Sequence, residues 1–138
     1  PYVPRVMPDL PTEILDGFRS VKKVAVACII AKLKKPVTEN FRLNTNDPEM
    51  DIPGIVEYTN LRPLDHHVVY APFYSPGEHP KYQEANSEFI DKVKRHLMKI
   101  NSALKPFDFL DLRASRYRFA QPISELGYLD ACRRSSYR

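Results

Sequence analysis

Glycine is scarce in this chain: there are four in 138 residues, Gly17, Gly54, Gly77 and Gly127, never closer than 23 positions apart. A backbone cradle for phosphate needs clustered glycines at a strand-to-helix turn, so neither a dinucleotide fingerprint nor a P-loop can be assembled from these. Tryptophan is absent, and cysteine occurs only as Cys28 and Cys132. Cys28 lies in the most apolar run and Cys132 in a polar tail. A disulfide between them is open, and two free thiols fit a reducing compartment at least as well. Long hydrophobic runs are missing too. The longest, residues 24–31, has eight residues, against the roughly 20 that a membrane span needs. Residues 1–5 carry no apolar signal region, which makes the cytoplasm the expected compartment. Nor is there an excess of one charge. Lys and Arg number 21 against 17 Asp and Glu, a net +4, scattered over four clusters, so nucleic acid is not an expected partner.

What is present suffices for one core, since 43% of residues are hydrophobic and eight Tyr and seven Phe add bulk. After a proline-rich lead-in, residues 12–19 read as a short helix capped by Thr12, with Ile14, Leu15 and Phe18 on one side. Residues 21–33 are the clearest strand. Their centre is apolar at both parities, which predicts a central strand covered on both faces. Residues 41–45 and 55–60 are further short strands. Residues 67–74 are a fourth, with Pro72 marking an edge or a bulge, and the third and fourth are close enough to form a hairpin. The best helix spans residues 87–100, capped by Asn86 or Ser87, with Phe89, Ile90, Val93, Leu97 and Ile100 on one stripe. Residues 107–119 are a fifth strand whose apolar side switches near Ser115, predicting a bulge or bend there. The expected class is α+β: a single mixed, mostly antiparallel sheet of four to five strands flanked by two or more helices. Residues 1–128 form the domain and 129–138 a tail.

Few constellations carry chemistry. Asp65-His66-His67 offers metal-ligand types, but neighbours entering a strand point to opposite faces and cannot chelate one ion. No metal site is expected. Neither cysteine lies in a nucleophile motif, and there is no Gly-x-Ser-x-Gly elbow. The segment from Arg113 to Gln121 is the most distinctive, with Arg113, Arg116 and Arg118 interleaved with Tyr117 and Phe119. It can grip an anion, stack on bases, or form salt bridges on an outer face. Tyr58, Tyr70 and Tyr74 fall on neighbouring strands. Such a polar-tipped aromatic surface fits a cavity for a flat or hydrophobic molecule, and equally an ordinary half-buried sheet face.

Several segments, in this order, resemble a known family. They are residues 4–11, residues 24–36, Leu43-Asn44-Thr45-Asn46-Asp47-Pro48, and Pro53-Gly54-Ile55-Val56-Glu57-Tyr58-Thr59-Asn60. His67-Val68-Val69-Tyr70 with Tyr74-Ser75-Pro76, Lys99-Ile100-Asn101, and Arg116-Tyr117-Arg118-Phe119-Ala120-Gln121-Pro122 complete the series. Together they look like the substrate-domain region of FAD-dependent oxidoreductases of the amine oxidase, protoporphyrinogen oxidase and phytoene desaturase group, over about residues 3–128. None is a catalytic signature; the resemblance rests on order and number.

In that family a separate nucleotide-binding domain holds FAD through a glycine-rich turn and a C-terminal segment. The substrate domain is an insertion that roofs the flavin ring. The resemblance therefore implies that this chain is the insertion alone. FAD is expected in the parent protein and none on this chain, and the missing FAD-binding domain is the first partner. A small hydrophobic or amine substrate would undergo hydride transfer with the flavin, and catalysis by this chain alone is not expected. The implied cavity wall is Tyr58, Asn60, Tyr70, Tyr74, Tyr117 and Gln121, with Arg116 or Arg118 meeting a substrate carboxylate or a neighbouring domain. Two alternatives stay open: a stand-alone module using the Arg113–Gln121 segment for an anionic ligand or nucleic acid, and a homo-oligomer formed through an uncovered face.

Overall fold

The computed structural model describes residues 2–126 and 128. The expected tail, with Cys132, lies outside the described residues, as do Pro1 and Gly127 of the expected domain. In chain order the elements are α1 (Val3–Val6), α2 (Thr12–Ser20), β1 (Lys23–Leu33), β2 (Arg42–Asn44), β3 (Gly54–Glu57), β4 (His67–Ser75), α3 (Pro80–Gln83), α4 (Asn86–Ile100) and β5 (Phe109–Pro122). The five strands form one sheet in the order β2-β3-β4-β1-β5. Among the described residues every pairing is antiparallel, and no parallel strand joins the sheet, against the mixed one expected. The class is α+β.

The core lies on one face of the sheet. Along β1 the odd positions Ala25, Ala27, Ile29, Ala31 and Leu33 are all but completely buried. Their register partners Ala71 and Val69 on β4 are equally buried. Helix α4 seals this face with Phe89, Val93 and Leu97, and Val37, Ile52, Ile55 and Leu104 close the margins. The alanines leave room for the helical layer to sit close, while Ile29 and Leu33 fill the gaps between its ridges.

The opposite face departs from expectation. Ile30 at its centre stays 39% exposed, whereas Val26 farther along is down to 9%. The apolar even positions of β1 are flanked by side chains of the neighbouring strands. Val26 stands in register between Tyr74 and Tyr117, and Cys28 between Pro72 and Ser115. Two-sided apolarity thus marks one covered face and one face lined by neighbouring side chains.

Two further expectations are corrected. Ser115 is regularly paired with Cys28, and the register shifts fall elsewhere, at Leu110 and over residues 118–120. The apolar side switches at Ser115 because Arg116 takes the covered face and Tyr117 the open one, with no bend needed. Asn86 caps nothing: Ala85 occupies the N-cap of α4 without a side-chain bond, and the Asn86 side-chain oxygen accepts from Arg116 Nη1. Likewise Thr12 is the first residue of α2, preceded by Pro11 at the cap.

Buried polar groups tie the connections to the sheet. Glu57 is fully buried on the core face; its Oε2 accepts from Val37 N at 2.9 Å and its Oε1 from Thr59 Oγ1 at 3.0 Å. Thr59 Oγ1 in turn accepts from Val68 N at 3.2 Å, so one carboxylate fastens the loop after β1 to the β3–β4 hairpin. The segment 45–53 is clasped from outside: Lys81 and Lys92 reach Asp51 at 2.6 and 3.1 Å, and Lys99 reaches Asp47 and Glu49, each at 2.7 Å.

Candidate functional site

The open face is a ladder set by register. Its rows read Tyr74, Val26, Tyr117; then Pro72, Cys28, Ser115; then Tyr70, Ile30, Arg113. Val56 of β3 extends the last row beyond Tyr70. Tyr58, in the 3-10 turn Tyr58–Asn60 that follows β3, sets its ring edge-on to Tyr70 with centroids 5.8 Å apart. Tyr74 and Tyr117 project with 47% and 64% of their surface exposed. The result is a broad apolar floor edged by phenols, the surface that suits a flat ligand or a neighbouring domain.

Of the residues singled out in the sequence, Tyr58, Tyr70, Tyr74 and Tyr117 come together here, and Gln121, opposite Val24, lies at the far end of the same face. Asn60 serves a different end, since its amide donates to Thr38 O at 2.9 Å and to Asn40 O at 3.1 Å and so holds the loop that follows β1. Arg116 belongs to the covered face, in register with Ala27. Its guanidinium donates to Tyr82 O at 2.8 Å, to Glu84 O at 2.6 Å and to Asn86, with its charge 5.9 Å from the Phe89 ring. All three nitrogens are thus engaged in seating α3 and α4 on β5. Arg118 runs beside Gly77 and sits over Phe119, while Arg113 is on the open face, bonded to Asp111 at 2.8 Å. The arginine-rich segment therefore divides its charges between two faces.

Sequence reasoning missed a hollow at the β3–β4 junction. β3 pairs with β4 only through Val56 and Glu57, and beyond Tyr70 the strands part, because Pro72 has no N–H to donate to a ladder. The gap is a cavity of about 190 Å³ between Arg42, Asn44, Gly54, Val56, Pro72 and Tyr74. Gly54 allows it: a Cβ there would lie 2.4 Å from Leu43 O, so only glycine lets β2 approach. An isolated Gly and a Pro at neighbouring strand positions were the available signal.

Burial holds the Cys28 thiol above its ordinary pKa, against a weaker backbone hydrogen bond from Ala71, so it stays protonated and poorly nucleophilic. His67 stands on the covered face, 3.7 Å from Glu57. Among the described residues no three His, Cys, Asp or Glu side chains gather as a metal site, and no helix is long and apolar enough to cross a membrane. This surface can bind and orient a ligand.

No protein-family model and no curated protein matches the sequence. Solved structures share its fold. A structure described as a protoporphyrinogen oxidase from Exiguobacterium sp. 255-15 superimposes with a TM-score of 0.68 at 20% identity, over 98% of this chain and 30% of that one. A reduced UDP-galactopyranose mutase gives 0.63 at 14% identity, over 87% and 26%. An oxidoreductase from Methanosarcina mazei gives 0.52 at 18%, over 76% and 25%. The chain thus spans under a third of the length of each.

Proposed function

We propose that this chain is the substrate-binding domain of an FAD-dependent oxidoreductase, with its open sheet face forming the wall of a substrate cavity over a flavin held by another domain. The observation that carries the reading is unequal exposure of the two faces: α4 packs on one face of the sheet, while on the other Ile30, Tyr74 and Tyr117 stay 39%, 47% and 64% exposed. The shared fold, spanning nearly all of this chain and about a third of a much longer oxidase, supports a domain of this kind within a larger enzyme.

The chain's residues fit a roof and not a cradle. Its glycines are too dispersed to wrap a diphosphate, and the centre of the open face is apolar with tyrosine tips, with Arg42, Arg113 and Asp111 toward its margins. When bound, the flavin supplies a two-electron acceptor or donor for a substrate carbon. This chain's part is to hold a small hydrophobic or amine substrate against Ile30 and Tyr70, and to exclude water from above. Tyr74 and Tyr117 border that floor and set its width.

The test is the reading frame extended on both sides of this chain. Purified without added cofactor, the longer protein should show a flavin absorption band. Tyr74→Ala with Tyr117→Ala should raise KM for its substrate while leaving flavin content unchanged. A colourless, fully folded protein overturns the reading.

A further inference from the structure

The hollow at the parting of β3 and β4 has two unlike walls. β2 supplies a polar one, Arg42 and Asn44; β4 supplies an apolar one, Pro72 and Tyr74; Val56 and Gly54 of β3 make the floor. Arg42 Nε donates to the Asn44 side-chain oxygen at 3.3 Å. That bond orients the guanidinium, whose terminal nitrogens have no hydrogen-bond or ion-pair partner among the described residues. Arg42 is also the one charged residue among those lining the hollow.

Size and charge narrow what can enter. At about 190 Å³ the hollow is smaller than the ~300–1,000 Å³ pockets that enclose whole drug-sized ligands, so it receives one end of a molecule. A single oriented guanidinium balances one negative charge, and its planar fork matches a carboxylate bidentately. A diphosphate would call for a second cation in the lining. The apolar wall then takes the carbons next to the anion, with the Tyr74 ring leading out onto the open face.

We propose that this hollow binds the carboxylate end of an aryl or alkyl carboxylate, with Arg42 pairing to the carboxylate and Pro72 and Tyr74 flanking the adjoining carbons. That this ligand is the enzyme's substrate rests on the proposed function, which it sharpens to a carboxylate class; the site itself does not depend on it.

The test is titration of the full chain by amide NMR with benzoate, with benzamide as its neutral isostere. Benzoate should give saturable shifts at Gly54, Val56 and Tyr74, and benzamide should bind at least tenfold more weakly. Arg42→Gln should abolish the preference and Arg42→Lys should leave part of it, while Arg113→Gln, on the same face but outside the hollow, should leave it whole. Equal binding of benzoate and benzamide overturns the proposal, as does the lack of saturable shifts at those amides. Phenyl phosphate bound more than tenfold tighter than benzoate would overturn it in favour of a dianion site. Benzoate binding is read without flavin, so its failure leaves the substrate-domain reading standing. A flavin-free extended protein would sink that reading and leave the benzoate result intact.

Discussion

Replacing Arg116 by Met keeps the aliphatic stem beside Phe89 and removes every donor that holds α3 and α4 to β5. Two of the lost bonds, to Tyr82 O and Glu84 O, are partly buried, and the third, to Asn86, is exposed. Hydrogen bonds from a charged group contribute about 1.5–3 kcal/mol each. Taking the lower end for the two partly buried bonds gives ~3 kcal/mol, and water returning to the freed carbonyls recovers part of it. We therefore expect a loss of about 2–3 kcal/mol, or roughly 6–12 °C in Tm for a domain of this size. Arg113→Met serves as the control: its ion pair with Asp111 is largely exposed, and such pairs contribute about 0–1 kcal/mol. Urea unfolding and thermal melts of both variants, with Asn86→Ala alone and in combination, measure the difference and the coupling. An Arg116→Met protein no less stable than Arg113→Met would refute the anchoring role. Loss of ligand binding at unchanged stability would return Arg116 to the substrate site.

Two other perturbations probe the polar ties. Glu57→Ala strands the Val37 amide and the Thr59 hydroxyl in a dry interior and should cost about 3 kcal/mol, with Glu57→Gln intermediate; hydrogen exchange at Val37 should accelerate, and a Gln variant as stable as the parent chain would show that the charge is not needed. The lysine clasp predicts stability lost at both ends of the pH scale. Asp47 and Asp51 are held below their ordinary pKa by hydrogen bonds from Lys99 and from Lys81 and Lys92 respectively, so their contribution is present above the unfolded value and lost as pH falls through the lower folded one. Lys92, despite the opposing effect of burial, is raised by Glu84 and Asp51, and Lys99 by Asp47 and Glu49. Their contribution is present below the unfolded lysine value and fades as pH rises through the higher folded one. Denaturation midpoints should therefore fall below about pH 4 and above about pH 10.5, and by less in Lys92→Met; parallel curves for the two proteins would remove the clasp as the cause.

Much of the fold is legible because its periodicities are local. The stripe from Phe89 to Leu97 and the buried odd positions of β1 follow from side-chain direction alone. What sequence could not show depends on partners far along the chain. Val24 to Ala31 reads as doubly covered because nothing in it tells that Tyr74 and Tyr117 will shade Val26 from either side. Asn86 looks like a cap until Arg116, thirty residues later, claims its oxygen. Tyr70, Tyr74 and Tyr117 lie on the strands expected for them, while Tyr58 falls in a 3-10 turn past the end of β3; the hollow beside them needed the register of three strands at once, with Gly54 permitting and Pro72 withholding a ladder bond.

β5 closes one side of the sheet with no strand beyond it among the described residues, and fourteen residues of unpaired edge invite another chain to add itself. The arginines on this strand take on a second significance there. Asp111, Arg113, Arg116 and Arg118 place charge along the length of the edge, the register shifts at Leu110 and over residues 118–120 break its straightness, and Pro122 ends its supply of donors. An incoming strand would meet irregular spacing and would bury charge at successive positions. Along its free side, the segment expected to grip a partner also carries features that disfavour edge-to-edge pairing.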